Sequence, residues 1–203
     1  MFVIGLTGGI GTGKSQVARM LKALGAVIVD ADQVGHEAYT PNSEPWQAVI
    51  DAFGKDIVQP SGEIDRRKLG GIVFSDPDQM TKLNGIMHPR MARMVAERLE
   101  TYRAEGTAVV VVEAAVLFEA GWDVLVDEIW TTESPKQDVV SRLKTRNGLS
   151  EEEVVKRIDS QLSTEEREAR SAVVVDNSGD MGTLEHTVKS LWDSRVKGKV
   201  EQK

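Results

Sequence analysis

The eight residues Gly8–Ser15 constrain the fold of this chain more than any other stretch. They read G-x-x-x-x-G-K-S, apolar residues precede them, and a pattern typical of a helix follows. In such a strand, loop and helix, glycines let successive backbone N–H groups face one anion at the positive end of the helix dipole. The sequence therefore predicts a phosphate-binding loop and the binding of a nucleoside triphosphate.

Two side chains at the end of this loop have roles that follow from their chemistry. The Lys14 ammonium can reach the β- and γ-phosphates, and the Ser15 hydroxyl can be a ligand of Mg²⁺. A dinucleotide-binding loop is the nearest alternative, but it needs a third glycine where Lys14 stands. The residues expected to bind the nucleotide are Gly8, Gly9, Gly11, Thr12, Gly13, Lys14, Ser15 and Gln16.

Composition narrows the class of protein. The chain has 203 residues, 40% hydrophobic and 28% charged, which suits one α/β domain with inserted lobes. A net charge of −7 disfavours a general nucleic-acid binder, because a phosphate backbone requires a basic face. The apolar runs are too short to span a membrane, no secretory signal is visible, and there is no cysteine. We therefore expect a cytoplasmic protein without disulfides.

Strands that alternate with helices predict a parallel, doubly wound sheet. Ser150 with Glu153, and Ser163 with Glu166, fit the capping-box pattern at helix starts. The polar end of the chain, residues 197–203, is expected to fray. Strands are predicted at 2–4, 27–29, 108–112, 128–131 and 172–175, and helices from Gly13 to Gly25 and over 135–146, 150–161 and 180–192.

A long central stretch lacks convincing strands. From residue 32 to residue 106 the apolar residues recur at helical spacing, as in Met91, Val95 and Leu99. This pattern predicts a mostly helical lobe inserted between two strands. Within it, His88–Pro89 is expected to begin a helix, because proline is favoured at the first helical position.

Carboxylates end two of the predicted strands. On an extended segment Asp30 and Asp32 would point the same way, and one of them could act on an acceptor hydroxyl. The alternative, that both cap the following helix, has equal weight. Glu113 ends an apolar strand, where a carboxylate can hold Mg²⁺ through water; the alternative is an exposed strand end.

Two arginines are candidates for a lid over the triphosphate. Arg142 and Arg146 lie four residues apart, so they share one helical face, and the planar guanidinium pairs well with phosphate oxygens. Closure of such a lid excludes water, which would otherwise accept the phosphoryl group. The alternative is a solvated helix face whose charge is balanced by Glu151–Glu153.

Over nearly its full length the chain resembles the dephospho-CoA kinase family. The phosphate loop is shared by many families, but the ordered set of short motifs that follows it is much more specific. The matching residues are Leu6–Ser15, Leu24–Gly25, Asp30–Asp32, Phe53–Gly54, Gly62–Arg66, Leu69, Val73–Phe74, His88–Pro89, Leu117–Glu119, Gln137, Arg142, Arg146, Gln161, Asn177 and Gly179.

The resemblance implies transfer of the ATP γ-phosphoryl group to the 3′-hydroxyl of dephospho-CoA, the last step of CoA biosynthesis. Mg²⁺ would accompany ATP, Asp32 would be the catalytic base, and Asn177 would line the adenine pocket. The residues implied to be catalytic are Asp32, Lys14, Arg142 and Arg146. Those implied to bind dephospho-CoA are Asp32, Arg66, His88, Leu117 and Glu119.

The resemblance also implies a P-loop kinase-like, three-layer α/β fold with a parallel sheet. Residues 1–203 would form one domain, with a core at about 1–31, 107–135 and 171–195. A helical CoA-binding lobe would span about 32–106 and a helical lid about 136–170. The chain departs from the family pattern at Gln16, Glu113 and Ala172, which affects the expected metal and base contacts more than the reaction.

Two other functions fit part of the sequence. One is another small-metabolite kinase of the nucleoside or shikimate type. The other is a non-catalytic nucleotide-binding switch protein, because Asp32–Gly35 reads D-x-x-G and Asn177–Asp180 reads N-x-x-D. Against the switch, Ser178 stands where guanine recognition normally needs lysine.

Overall fold

The computed structural model describes residues 1–200, which divide into two compact units. Unit 1 consists of Met1–Val29 and the chain from Leu99 onwards, and unit 2 is Asp30–Arg98. Within residues 1–200, the helices are all too short or too polar to cross a membrane.

A five-stranded sheet in the order β2-β3-β1-β4-β5 forms the centre of the fold. The pairs β1–β3, β1–β4 and β4–β5 are parallel, so these four strands end at the same edge of the sheet. Ligands of parallel α/β sheets bind beyond that edge. The α/β fold and parallel sheet predicted from the sequence are confirmed. The strands are β1 (Phe2–Gly8), β2 (Val27–Asp30), β3 (Val109–Glu113), β4 (Glu128–Glu133) and β5 (Val173–Asp176).

Helices connect the strands and account for most of the chain. In unit 1, β1 leads through the glycine-rich loop into the first helix, and three helices lie between β4 and β5. In unit 2 helices predominate, with one isolated bridge between Val58 and Ile64. The helices are α1 (Lys14–Ala23), α2 (Ala31–Ala38), α3 (Glu44–Phe53), α4 (Arg66–Ser75), α5 (Pro77–Ala104), α6 (Lys136–Asn147), α7 (Glu151–Asp159), α8 (Thr164–Ala169), α9 (Met181–Leu191) and α10 (Lys197–Val200), with short 3₁₀ turns at Lys55–Ile57 and Trp122–Leu125 and a π turn at Trp192–Val196.

The main core of unit 1 packs α1 and α9 against the sheet. Fully buried Ile4 and Leu6 of β1 belong to the same cluster as Val17 and Leu21 of α1. Each such side chain stabilises the fold by about 1.5–3 kcal/mol relative to its exposure to water. Because α1 begins directly after the glycine-rich loop, this packing fixes the position of the end of the loop.

The helix start predicted at residue 150 is confirmed in its details. Ser150 Oγ accepts the Glu153 N–H (3.2 Å), and Glu153 Oε2 accepts the Ser150 N–H (2.8 Å), which completes a capping box. At the second predicted box, Ser163 Oγ accepts the Glu166 N–H (3.2 Å).

The prediction that His88–Pro89 begins a helix is wrong, because both residues lie in the middle of α5. A proline inside a helix removes one backbone hydrogen bond and weakens the turn before it. Here Arg90 Nη1 donates to the Ile86 carbonyl (2.8 Å), which supports that turn. The helix therefore continues through a residue that would otherwise favour a boundary.

The expectation of a frayed C-terminal end is wrong for residues 197–200, which are helical, while residues 201–203 lie outside the described part. Val196 is fully buried in the main core. Lys199 Nζ lies 4.3 Å from the centre of the Phe2 ring, a cation–π distance. The end of the described chain is therefore packed against the first strand.

Glu128, at the start of β4, binds this C-terminal segment. Its carboxylate is 8% exposed and accepts hydrogen bonds from Arg195 (3.0 Å), Lys199 (2.9 Å) and the Trp130 indole (2.9 Å). Burial by itself raises the pKa of Glu128. Hydrogen bonds from Lys199 and Trp130, with the charges of Lys199 and Arg195, outweigh burial and lower the pKa below its ordinary value.

Replacing Glu128 with glutamine should reduce the acid sensitivity of the fold. Because the folded pKa is lowered, the ionised carboxylate stabilises the fold fully above the unfolded value of about 4.3, and this contribution is lost as the pH falls through the folded value. We expect Glu128→Gln to lower the free energy of unfolding at neutral pH by about 1–2 kcal/mol. The difference in free energy of unfolding between wild type and variant, measured by urea denaturation, should shrink below about pH 4. Glu185→Gln, at an exposed site on α9, is the control; a deficit that stays constant with pH would contradict the role of Glu128.

Candidate active site

The loop between β1 and α1 adopts a backbone that only glycines tolerate. Gly11 (φ 78°) and Gly13 (φ 100°) lie in the left-handed region. A Cβ atom on Gly13 would overlap the Asn177 side-chain amide, and one on Gly11 would lie 3.0 Å from Val139 Cγ1. The motif therefore needs glycine at these positions both for the backbone turn and for the close approach of neighbouring elements.

Thr12 secures the middle of the loop. Its side chain is buried (4% exposed), and its hydroxyl donates to the Gly9 carbonyl (2.8 Å). The same hydroxyl lies 2.7 Å from Thr132 Oγ1 on β4. The loop is thereby attached to the sheet through a residue that the motif leaves variable.

At the end of the loop, Lys14 and Ser15 meet Glu113. Ser15 Oγ donates to Glu113 Oε1 (2.8 Å), and Lys14 Nζ lies 3.4 Å from the same oxygen. A hydroxyl and a carboxylate beside a phosphate loop provide the oxygen ligands that Mg²⁺ prefers. Within residues 1–200, no three His, Cys, Asp or Glu side chains converge as a metal cluster. Gln16 is half-buried on the first turn of α1.

The two predicted lid arginines differ in their surroundings. The Arg142 guanidinium donates to the Gly11 carbonyl (3.3 Å), Ser134 Oγ (2.9 Å) and the Asn177 carbonyl (3.0 Å). Arg146, one turn later on α6, is exposed and donates to Asn147 Oδ1 (3.0 Å). In this structure Arg142 therefore joins the phosphate loop to the segments after β4 and β5, whereas Arg146 faces solvent.

Asn177 directly follows β5 and is buried against the loop. Its side-chain amide donates to the Thr12 carbonyl (2.9 Å), and its backbone carbonyl accepts the Ser134 hydroxyl (2.9 Å). The strand end places this residue beside Gly13.

Sequence reasoning missed a buried ion pair next to the loop. Arg167 on α8 is 2% exposed; it donates to the Leu162 carbonyl (2.9 Å) and lies 3.5 Å from Glu133 Oε1 at the end of β4. Burial raises the pKa of Glu133, and the charge and hydrogen bond of Arg167 only partly offset this rise. The run Glu165–Glu168 is so highly charged that it suggests an exposed face, and it gave no signal of a buried arginine.

A cavity of about 860 Å³ lies beside this ion pair in unit 1. Its lining includes Gly9 and Ile10 of the phosphate loop and Arg167 of the ion pair. Its size is in the range of small-molecule sites.

In unit 2, Asp30 is the last residue of β2 but Asp32 lies in α2, so the two aspartates do not share an extended segment. The Asp30 carboxylate caps α2 by accepting the N–H groups of Asp32 (2.8 Å) and Gln33 (3.4 Å). Helix α2 begins at Ala31, so Asp32 is an exposed residue of its first turn. The prediction that the two carboxylates point the same way is therefore wrong, and the capping alternative holds for Asp30.

The residues predicted to bind the acceptor are distributed over both units. In unit 2, Arg66 donates to the His36 carbonyl (3.3 Å) and lies 5.3 Å from the centre of the Tyr39 ring, while His88 is half-buried on α5. Burial raises the pKa of Tyr39. In unit 1, Leu117 is fully buried, and Glu119 is exposed and accepts the Leu162 N–H (3.4 Å).

Comparison with known proteins identifies the relatives of this chain. Residues 2–182 match the model of the family described as dephospho-CoA kinase. The chain belongs to the dephospho-CoA kinase family. The family predicted from the sequence motifs is confirmed, and the protein is a kinase.

Similar proteins and solved structures cover almost the whole chain. A dephospho-CoA kinase from Geobacter sulfurreducens is 42% identical over 195 residues, which are 96% of this chain and 99% of that protein. Among solved structures, TT1252 from Thermus thermophilus has a TM-score of 0.78 at 32% identity and covers 96% of this chain and 97% of its own. Dephospho-CoA kinase from Campylobacter jejuni has a TM-score of 0.73 at 25% identity, with 97% and 98% covered. The P-loop kinase fold predicted above is confirmed.

Substitution of Gly13 with alanine should impair nucleotide binding as well as folding. The left-handed backbone costs alanine about 1–2 kcal/mol, and the new methyl group displaces Asn177 from the loop. We expect ADP affinity, measured by calorimetric titration, to fall at least about tenfold.

Gly106→Ala is the matched control for this experiment. Gly106 has a similar backbone angle (φ 75°), but a Cβ there meets open space. This variant should share the cost of the left-handed backbone and keep its ADP affinity. Equal ADP affinity in the two variants would contradict the proposed fit between Gly13 and Asn177.

Proposed function

We propose that this protein transfers the γ-phosphoryl group of ATP to the 3′-hydroxyl of dephospho-CoA, giving CoA and ADP. This is the last step of CoA biosynthesis. The observation that carries the proposal is the match of residues 2–182 to the dephospho-CoA kinase family, which includes the complete phosphate loop. A relative that is 42% identical over nearly its whole length bears the same name.

The phosphate loop and Lys14 bind the triphosphate in this proposal. Backbone N–H groups of the loop and the Lys14 ammonium offset the negative charge of the β- and γ-phosphates. Ser15 would hold Mg²⁺, and Glu113 would hold it through water; the contact between the two side chains (2.8 Å) supports a shared role. The ion, when bound, neutralises charge that develops on the phosphate oxygens.

Asp32 is the proposed base. Its carboxylate orients the acceptor 3′-hydroxyl and takes its proton as the oxygen forms a bond to the γ-phosphorus. The bond between that phosphorus and the β–γ bridging oxygen breaks, and ADP leaves with the electron pair. The exposure of Asp32 at the start of α2 supports this role, because the carboxylate is open to a substrate.

The remaining predicted site residues complete the proposal. Arg142 and Arg146 on α6 interact with the phosphates as the lid closes, and Asn177 lines the adenine pocket. Arg66 and His88 of unit 2, with Leu117 and Glu119, contribute to the acceptor site. Arg142 supports the proposed lid role through its bond to the Gly11 carbonyl.

We propose the same division of the chain that the sequence predicts. The core comprises about 1–31, 107–135 and 171–195, the CoA-binding lobe about 32–106 and the lid about 136–170. The protein acts in the cytoplasm on small molecules, without a membrane or nucleic-acid partner. Its net charge of −7 supports the proposal that it has no nucleic-acid partner.

An acceptor panel tests the proposed reaction. The protein is incubated with Mg²⁺, ATP and, in turn, dephospho-CoA, adenosine or shikimate, and the products are analysed by mass spectrometry. We expect CoA from dephospho-CoA and no phosphorylation of the other two acceptors. A parallel reaction with GTP should be slower. Phosphorylation of another acceptor in preference to dephospho-CoA would overturn the proposal.

Substitution of Asp32 with asparagine tests the proposed base. The amide cannot take the proton, so we expect kcat to fall by about 10²–10⁴ while ADP binding stays within about twofold of wild type. Asp78→Asn is the matched control, because Asp78 is also an exposed aspartate in the first turn of a helix of unit 2. A wild-type kcat in Asp32→Asn would contradict the role of Asp32 as the base.

A further inference from the structure

One peptide group of the phosphate loop is held at both of its ends. The Gly9 carbonyl accepts the Thr12 hydroxyl (2.8 Å), and the Ile10 N–H of the same peptide donates to Gln161 Oε1 (2.8 Å). Thr12 belongs to the loop itself, but Gln161 is 151 residues away in sequence. The conformation of the loop therefore depends on a side chain from a distant segment.

Gln161 lies in the short connection between α7 and α8. Its backbone N–H donates to the Ile158 carbonyl (3.1 Å), which keeps it close to the end of α7. The next residue, Leu162, has its carbonyl bound by the buried Arg167 (2.9 Å) and its N–H bound by Glu119 (3.4 Å). The backbone is thus held by hydrogen bonds at both Gln161 and Leu162, which gives the Gln161 side chain a defined orientation.

Arg167 and Gln161 also approach the loop at Gly9. A Cβ atom on Gly9 would lie 3.7 Å from Arg167 Nη1 and 3.8 Å from Gln161 Oε1. These are ordinary contact distances, so the connection packs directly against the loop. The hydrogen bond to Ile10 is the directional part of this contact.

The hold on this peptide matters because Gly9, on one side of it, does little to restrain it. Glycine side chains present no Cβ to resist rotation of an adjacent peptide plane. A rotation of the Gly9–Ile10 peptide would turn the backbone that follows, and with it the amides that face the phosphates. A cradle whose dipoles are already oriented binds an anion without the cost of ordering them.

We infer that Gln161 is a positioning residue that sets the phosphate cradle through the Ile10 N–H and so couples the α7–α8 connection to nucleotide binding. The inference rests on the proposed function only in taking a nucleoside di- or triphosphate as the ligand. Gln161 itself touches the loop and not the reacting atoms. Its loss is expected to affect ligands that carry a β-phosphate more than ligands that lack one.

Titration of the full chain with ADP and AMP tests this inference. Gln161→Leu keeps the size of the side chain and removes the acceptor. We expect it to weaken ADP binding about tenfold, to change AMP binding by less than about twofold, and to leave the melting temperature within about 2 °C of wild type. In steady-state kinetics the KM for ATP should rise while the KM for dephospho-CoA stays unchanged.

Two further variants complete the test. Gln161→Glu keeps an oxygen acceptor at the same reach but adds a negative charge that repels the phosphates of ADP. At about 1 M salt, where that repulsion is largely screened, it should bind ADP more tightly than Gln161→Leu does at the same salt. Gln47→Leu is the control, because Gln47 is an exposed glutamine of α3 that bonds to Asp51 (2.8 Å); it should match wild type throughout.

The outcomes separate this inference from the proposed function. Wild-type ADP affinity in Gln161→Leu, equal losses for ADP and AMP, or no advantage of Gln161→Glu over Gln161→Leu at that salt would each overturn the role of Gln161. A wild-type protein that binds ADP but forms no CoA would instead overturn the proposed reaction and leave the ADP and AMP comparison valid.

Discussion

The phosphate loop keeps its shape because almost every neighbouring element of unit 1 holds one part of it. The end of β3 holds Ser15 through Glu113, and β4 holds Thr12 through Thr132. Helix α6, the residue after β5 and the connection after α7 hold the backbone of Gly11, Thr12 and Ile10, respectively. The parallel sheet makes this possible, because it brings the ends of β1, β3, β4 and β5 to one edge. A loop with little conformational preference of its own is thus defined by its surroundings.

Local patterns in the sequence were sufficient for much of the fold. The loop motif, the apolar strands and the capping box at Ser150 each depend on residues within a few positions of one another, so their physics is visible in a short window. The same reasoning placed Glu113 at a strand end, where the structure brings it to Ser15. The family resemblance added the order of the motifs along the chain, and the comparison with known proteins confirmed the family.

What the sequence could not supply depends on packing between distant segments or on which of two local contacts forms. Arg167 is buried although it stands in a charged run, because α8 turns it towards Glu133. Pro89 lies inside a helix although it favours a helix start, because α5 begins twelve residues earlier and continues past it. Asp32 is helical because the Asp30 carboxylate caps α2 and accepts the Asp32 N–H.

The two threonine hydroxyls beside the loop have one further consequence. A hydroxyl carries a single proton, and Thr12 uses its proton on the Gly9 carbonyl. When Thr12 donates to Gly9, the proton between the two hydroxyls comes from Thr132, and the dipoles then run in one direction, from β4 through Thr12 to the loop. The Thr7 carbonyl, 3.4 Å from Thr132 Oγ1, is the other acceptor for that proton. Bonds aligned in this way polarise and strengthen one another. Thr132 of the sheet thus orients the Thr12 hydroxyl dipole towards the Gly9 carbonyl. The N–H of the same peptide, that of Ile10, is bound by Gln161.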